Sequence, residues 1–151
     1  MTLEQLVKNA EKVGKKMAEN TYMQDIISDI DAEVFIVDAN AEDQLFKRGV
    51  NAFGVEIMNY RPYTPYTIEQ KKLKNQPYDR VTLRDTGDFE RSFKVEVNKD
   101  SFSVTATDTK TEKLKKKYGN IFGLTPENKS KLAWKIVYPD LLLHLRNDLF
   151  S

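Results

Sequence analysis

Few side chains in this sequence have the types that catalysis requires. His144 is the only histidine and the chain has no cysteine. Histidine–nucleophile pairs, multi-histidine metal sites, thiolate metal sites and disulfides are therefore excluded. Because His144 stands among the leucines of residues 141–145, we interpret it as a helix-surface or boundary residue. We expect neither a metal nor a cofactor.

Two carboxylates flank a short turn and form the remaining candidate for acid–base chemistry. Asp85 and Asp88 enclose Thr86 and Gly87, and a pair of close carboxylates could serve as general acid and base. An Asp-Thr-Gly sequence before a short helix is more simply a turn with a cap. We predict that Asp85, Thr86 and Gly87 form a structural turn, with Gly87 at a positive φ or a close backbone approach. We do not expect an enzyme.

The only concentrated basic patch consists of four lysines: Lys113, Lys115, Lys116 and Lys117. Such a patch could contact phosphates, and the adjacent Tyr118 could stack on a base. However, Lys plus Arg total 24 against 23 for Asp plus Glu, so the chain as a whole has no strong attraction for nucleic acid. We interpret the patch as a solvated segment or one that faces an acidic partner protein. A nucleic-acid-binding accessory protein stays open as the alternative.

A tyrosine- and proline-rich stretch is the second candidate binding segment. Residues 49–80 contain Tyr60, Tyr63 and Tyr66 between glycines and prolines, which predicts a mostly irregular connection with a helical turn from Thr67 to Lys72. Long irregular segments in compact domains commonly bind something. Either these tyrosines contact a protein partner or they fasten the loop to the core. The two glycines of this stretch lack the Gly-Lys-Ser/Thr ending of a phosphate-binding loop.

The N-terminal part, residues 1–48, is predicted to be helical. Apolar residues recur at spacings of three and four from Thr2 to Met17, and Thr2 with Gln5 forms a capping-box pattern. A second helical pattern runs from Met23 to Ile30. The short apolar run at residues 34–37 is compatible with a strand or a helix, and we favour the helix.

A β-hairpin is predicted within residues 81–107. Two runs alternate strictly between apolar and polar residues, and a polar turn at residues 98–101 joins them. We expect six side chains on one buried face: Phe93, Val95, Val97, Phe102, Val104 and Ala106. A lone hairpin is marginal in water, so it must pair with a third strand, for which residues 80–84 are the candidate, or pack on helices.

The C-terminal part is predicted to be a charged loop followed by a helix. The loop covers residues 108–124, and the helix begins where Thr125 can cap it and Pro126 occupies its first position. Pro139 should end or kink this helix, which covers residues 125–151. Trp134 lies at the edge of the apolar stripe, where a core-boundary role is expected.

The sequence as a whole predicts one α+β domain of 151 residues with N-terminal amphipathic helices, a central antiparallel hairpin or small sheet and a C-terminal helix kinked at a proline. The first residues carry no signal-peptide pattern and no run reaches the length of a membrane span. We expect a soluble protein made in a reducing cytoplasm.

Three short motifs, in order, resemble a known family. They are Tyr60-Arg61-Pro62-Tyr63-Thr64-Pro65-Tyr66-Thr67-Ile68, then Val81-Thr82-Leu83-Arg84-Asp85-Thr86-Gly87-Asp88-Phe89, then Ile121-Phe122-Gly123-Leu124-Thr125. The order is similar to that of tailed-phage tail-completion proteins, the Mu-type virion morphogenesis family and the related head-to-tail joining minor proteins. The resemblance covers residues 54–137.

This resemblance implies a structural protein of the bacteriophage virion, assembled in the host cytoplasm. It implies a homo-oligomeric ring at the head–tail connector, the neck or the tail end, in contact with portal or connector proteins and tail proteins. Direct contact with nucleic acid or membrane is not expected. The candidate protein-interface residues are Tyr60, Tyr63, Tyr66, Lys113, Lys115, Lys116 and Lys117.

Overall fold

The first helix begins with the predicted capping box. In the computed structural model, which describes residues 1–151, the Thr2 hydroxyl accepts from the Gln5 backbone N–H at 3.1 Å, and the Gln5 side-chain oxygen accepts from the Thr2 N–H at 2.8 Å. Helix α1 covers Leu3–Ala18. Because this reciprocal bonding satisfies otherwise unpaired N–H groups, it fixes where the helix starts.

Three further helical segments complete the N-terminal part. Helix α2 covers Thr21–Ser28 and α3 covers Ile30–Asp38, which confirms the helical interpretation of residues 34–37. Helix α3 continues into a π-helical segment, Ala39–Arg48. Gly49 ends that segment at φ 63°, and a Cβ there would lie 2.8 Å from Arg80 Cβ. Glycine is therefore required by both conformation and space.

Residues 49–80 are more regular than the sequence predicted. They contain α4, Ile57–Tyr60, and α5, Pro65–Leu73. The helical turn predicted at residues 67–72 is present in α5, which is longer than predicted because Thr64 caps its Thr67 N–H at 3.2 Å and Pro65 occupies its first turn. Proline is favourable at that position, where its missing N–H has no intrahelical partner to lose.

The sheet contains only the two predicted strands. Strand β1, Phe93–Val97, pairs antiparallel with β2, Phe102–Ala106, with Val95 opposite Val104. Phe93 and Val104 are buried, their four predicted partners on that face are buried or partly buried, and Lys94, Glu96 and Ser103 are exposed, which confirms the face. The hairpin packs on α2 and α3.

The candidate third strand at residues 80–84 is not formed. Leu83 adopts a left-handed backbone at φ 58°, which an extended strand cannot contain. The short helix α6, Asp88–Arg91, follows this segment. The sheet therefore spans residues 93–106 rather than 81–107.

The charged segment after the hairpin is a helix, so the loop predicted for residues 108–124 is wrong for residues 111–118. Helix α7 covers Thr111–Tyr118. Its residues are mostly good helix formers, and Leu114 and Tyr118, four residues apart, lie on its inner face. The Thr111 hydroxyl donates to the Asp108 carbonyl at 2.7 Å, which fixes the first turn.

The C-terminal helix widens before Pro139 instead of ending there. Helix α8, Pro126–Leu132, continues through a π-helical segment, Ala133–Val137, into α9, Tyr138–Phe150. A proline cannot donate to the preceding turn and its ring crowds the carbonyl four residues earlier, and a wider turn relieves both problems. The predicted α+β class with a kinked C-terminal helix is confirmed.

The core lies between the N-terminal helices, the hairpin and the 119–125 loop. Its largest fully buried apolar side chains are Ile26, Ile36, Leu45, Ile57, Val81 and Ile121. Phe89, Phe93 and Phe122 form a cluster with ring centroids 5.0 to 6.0 Å apart. The α1 helix and the α9 helix bury no residue completely, so these two helices lie at the edge of the core.

Candidate protein-interaction surfaces

The tyrosine segment and the lysine segment meet in the fold. The Tyr60 hydroxyl donates to the backbone carbonyl of Tyr118, the last residue of α7, at 2.8 Å. Tyr118 is buried, and burial, together with the nearby Tyr63, raises the pKa of its phenol. The two candidate binding segments therefore belong to one region, although the hairpin separates them in sequence.

Two of the three predicted tyrosines fasten their segment to the molecule. The Tyr63 hydroxyl accepts from the Thr82 N–H at 3.1 Å, and Lys71 lies 5.2 Å from its ring while donating to the Arg84 carbonyl at 3.0 Å. Tyr60 is held through Tyr118, as described above. Tyr66 is 70% exposed. Of the three, Tyr66 is thus the side chain most available to a partner.

The four predicted lysines all face solvent on α7. Lys115 lies 3.8 Å from Glu112, and Lys113, Lys116 and Lys117 form no ion pair. Such exposed charges contribute little to the stability of a fold. The helix therefore presents a basic surface to whatever lies beside it.

Each carboxylate of the predicted turn has its own partners. Asp85 accepts from Lys74 at 3.0 Å and from the Gln76 side-chain amide at 3.1 Å. These hydrogen bonds lower the pKa of Asp85, and the one from Lys74 has the larger effect. Asp88 accepts from the Thr86 hydroxyl at 3.0 Å. This hydrogen bond and the one from Arg91 lower the pKa of Asp88. Gly87 adopts φ 89°, as predicted. This is the hydrogen bonding of a structural turn.

A small cavity of about 190 Å³ lies beside this turn, between Tyr63, Leu114 and Tyr118. Glu90 forms part of its wall and is 8% exposed, and neither carboxylate oxygen has a hydrogen-bond partner. Its nearest cation is Arg84, whose Nε lies 3.7 Å from Glu90 Oε2. Burial raises the pKa of Glu90 despite that guanidinium.

His144 and Trp134 lie at the surface of the C-terminal helix. His144 is half-buried, with its ring 5.9 Å from that of Tyr22, which fits the boundary role predicted for it. Trp134 is 66% exposed and contacts Tyr138 at 5.4 Å between ring centroids. The core-boundary role expected for Trp134 is wrong, because most of this residue is exposed to solvent.

The sequence did not reveal an exposed apolar stripe on α1, which we call the α1 seam. The α1 seam consists of Leu3, Val7, Ala10, Gly14 and Met17, all exposed. A second stripe of the same helix, Leu6, Asn9, Val13 and Lys16, is half-buried, and it faces α9 and α2. The apolar band of α1 is wider than one neighbouring helix can cover. That width was the sequence signal that pointed to an exposed stripe.

A broad apolar groove is the second surface that the sequence did not reveal. It has a volume of about 840 Å³ and is lined by 23 residues, of which 12 are hydrophobic. Its walls come from α2, the hairpin, the loop around Phe53 and the start of the C-terminal helix. No residue of α1 lines it. Because these walls are far apart in sequence, no local pattern predicts the groove.

No family model matches the chain, and neither a curated protein nor a solved structure is significantly similar to it. No cluster of His, Asp and Glu side chains has the arrangement of a metal site. None of the helices is long and apolar enough to cross a bilayer.

Proposed function

We propose that this chain is a structural protein of a tailed-bacteriophage virion. It acts as a ring-forming adaptor or tail-completion protein at the head–tail connector, the neck or the tail end. It is made in the host cytoplasm and becomes part of the virion. Its partners are further copies of itself, portal or connector proteins and tail proteins, and it catalyses no reaction.

The observation that carries this proposal is the pair of unlike apolar surfaces, the α1 seam and the groove. Monomeric soluble proteins rarely leave large contiguous apolar patches exposed, and such patches commonly mark interaction sites. A ring requires a heterologous contact, in which one patch meets a different patch on the next subunit. Two unlike patches on one chain supply the pair of surfaces that such a contact requires.

The three motifs that resemble the tail-completion family support the same proposal through their contacts. The first motif reaches the second through the hydrogen bond from the Thr82 N–H to Tyr63. The second reaches the third through Phe89 and Phe122, whose ring centroids lie 6.0 Å apart. Motifs that pack on one another are expected where a family pattern encodes a common fold.

Disruption of the gene in its phage genome tests the proposal. We expect filled heads and separate tails that fail to join, seen by negative-stain electron microscopy, with normal particles restored by the wild-type gene in trans. Joined, infectious particles in the absence of the protein would overturn it. Detection of the protein in purified wild-type virions by mass spectrometry gives an independent readout.

A nucleic-acid-binding accessory protein is the second candidate, favoured by the unpaired lysines of α7. Lys113, Lys116 and Lys117 could neutralise about three phosphates, and binding would then weaken steeply with salt. Retention on DNA at low salt that falls with added salt, lost on substitution of these lysines by glutamine, would favour this candidate. The first candidate predicts no such retention.

A further inference from the structure

We propose that two copies of this chain associate through the exposed face of the C-terminal helix, antiparallel and about a two-fold axis near its middle. We call this surface the C-terminal face, and it consists of Trp134, Tyr138, Leu142, Leu143, Arg146 and Phe150. None of these residues lines the groove or belongs to the α1 seam. The contact therefore goes beyond the proposed function and leaves both of those surfaces free.

The C-terminal face contains a ridge of large side chains. Residues 134, 138, 142, 146 and 150 follow one another at intervals of four, which is the ridge that packs in the commonest class of helix–helix contact. Trp134 is 66% exposed, Leu143 58% and Phe150 65%. The partly buried residues of α9 lie on its other side, where the helix packs on α1 and α2. The ridge therefore lacks a partner within its own chain.

The order of residues along this ridge is self-complementary. Leu142 lies at its centre, Tyr138 and Arg146 lie four residues to either side, and Trp134 and Phe150 lie eight residues to either side. An antiparallel pair about Leu142 therefore places Tyr138 of one copy beside Arg146 of the other, and Trp134 beside Phe150. A guanidinium over a phenol ring and two neighbouring aromatic rings are both favourable contacts. A patch that can meet itself in this way is what a two-fold dimer requires.

The charge on the C-terminal face favours a second copy in this orientation. Arg146 is exposed and forms no ion pair in its own chain, whereas the nearby Asp148 is already bonded to Lys16 at 2.7 Å. A parallel pair would bring the two Arg146 guanidinium groups together at the same level of the helix, where like charges repel. The antiparallel pair separates them by eight residues, about 12 Å along the axis, and gives each one the ring of Tyr138 instead.

The exposed area has the size that a reversible dimer needs. The three aromatic and two leucine side chains of the C-terminal face are between 48% and 66% exposed. Because an aromatic side chain can bury about 150–250 Å², the face offers on the order of 500 Å² per copy. The pair would then bury about 1,000 Å², which is the lower end of specific interfaces. We therefore expect a dimer that exchanges with the monomer.

Sedimentation velocity on the full chain, from low micromolar to near-millimolar concentration, tests the association. We expect a monomer–dimer equilibrium, and the emission of Trp134, the only tryptophan, should shift to shorter wavelength as the dimer forms. Leu142→Glu places two carboxylates near the axis and should raise the dissociation constant at least about tenfold, while the dilute variant melts as wild type does. Leu73→Glu, at an exposed position of α5, is the matched control and should leave the constant unchanged.

Cysteine cross-linking tests the antiparallel orientation, because the chain has no native cysteine. With a short bis-maleimide, Leu142→Cys should form dimers by itself, since its two thiols meet near the axis. Tyr138→Cys and Arg146→Cys should form mixed dimers when they are combined and few dimers when each is treated alone. Dimers of Tyr138→Cys alone that are as abundant as the mixed dimers would indicate parallel pairing and contradict the proposal.

Three sedimentation results would overturn the dimer. They are a monomer at every soluble concentration, oligomers that keep growing beyond two copies, and a dimer that Leu142→Glu leaves as strong as in wild type. The first denies the association, the second indicates a contact between unlike patches, and the third places the contact elsewhere. A dimer together with normal particles after gene disruption keeps this contact and removes the virion function, whereas a monomer together with unjoined heads and tails does the reverse.

Discussion

Two buried amides hold the loop that closes the core. Asn40 donates to the Ile121 carbonyl at 2.9 Å and accepts from the Gly123 N–H at 2.8 Å, and Gln44 accepts from the Thr125 N–H at 2.9 Å. Both side chains are fully buried. Polar residues in an amphipathic pattern are expected at the surface, and their partners here lie about eighty residues away in sequence. Local pattern therefore could not predict them.

Asn40→Ala should strongly destabilise the protein. The substitution leaves the buried Ile121 carbonyl and the partly buried Gly123 N–H without their side-chain partner, so we expect the free energy of unfolding to fall by about 2–4 kcal/mol. Urea denaturation followed by circular dichroism measures this change. Asn147→Ala, at an exposed position of α9, is the control and should change it by no more than about 0.5 kcal/mol. Equal effects would show that the amide network is unimportant.

Gly87→Val should also destabilise, through its backbone conformation. Gly87 has φ 89°, and a Cβ would lie 2.7 Å from a guanidinium nitrogen of Arg91. Because a β-branched residue rarely adopts this φ, we expect a loss of about 1–3 kcal/mol. Gly14→Ala, in a helix with open space around it, should instead stabilise the monomer by up to about 1 kcal/mol. An unchanged melting temperature for Gly87→Val would contradict this account.

Glu90 gives a pH dependence of defined sign. Burial raises its pKa in the folded protein above the unfolded value, so the folded state binds the extra proton. Its contribution to stability is therefore fully present below the unfolded pKa and is lost as the pH rises through the folded pKa. Glu90→Gln should remove this loss, and the variant should be the more stable protein at pH 7.

The difference between wild type and Glu90→Gln isolates this residue. Four other carboxylates have lowered pKa values, namely Asp43, Asp85, Asp88 and Asp148. Their contributions to the free energy of unfolding are lost on acidification, but equally in both proteins. Melting temperatures measured from pH 4 upward should show wild type falling relative to the variant. A rise of wild type relative to Glu90→Gln over that range would mean that the Arg84 interaction outweighs burial.

At the scale of elements, the sequence predicted the helices and strands whose signals are local. The capping box of α1, the alternation of the hairpin and the Thr125–Pro126 start of α8 each lie within a few residues, and each is present. Helix α5 has the same kind of Thr–Pro start, but the prolines and tyrosines around it limited the prediction to a helical turn at residues 67–72. Helix α7 has only two inward apolar residues, too few for a periodic pattern.

Charge reversal on α7 should separate interaction from stability. The triple variant with Lys113→Glu, Lys116→Glu and Lys117→Glu changes three exposed lysines that form no ion pair. Its melting temperature should therefore stay within a few degrees of the wild-type value. If α7 contacts an acidic partner in the virion, head–tail joining should fail. Normal joining with a normal melt would remove α7 from the interface, and loss of DNA retention alone would favour the nucleic-acid candidate.

At the scale of the whole molecule, the α1 seam and the groove explain why the chain leaves so much apolar surface uncovered. The sequence indicated that α1 is amphipathic, but only the fold shows that its neighbours cover one of two stripes. The groove requires α2, the hairpin and the C-terminal helix together. Surfaces built from distant segments depend on packing, which composition and periodicity do not report.

In vitro joining of heads and tails tests whether this protein acts in virion assembly through the α1 seam. Purified protein is added to a lysate of the phage whose gene for this chain is disrupted, and infectious particles are counted. We expect wild type and Leu73→Glu to restore joining and Val7→Glu, on the α1 seam, not to restore it, although all three melt alike. Failure of the wild-type protein to restore any joining, with intact heads and tails both present, would contradict the account.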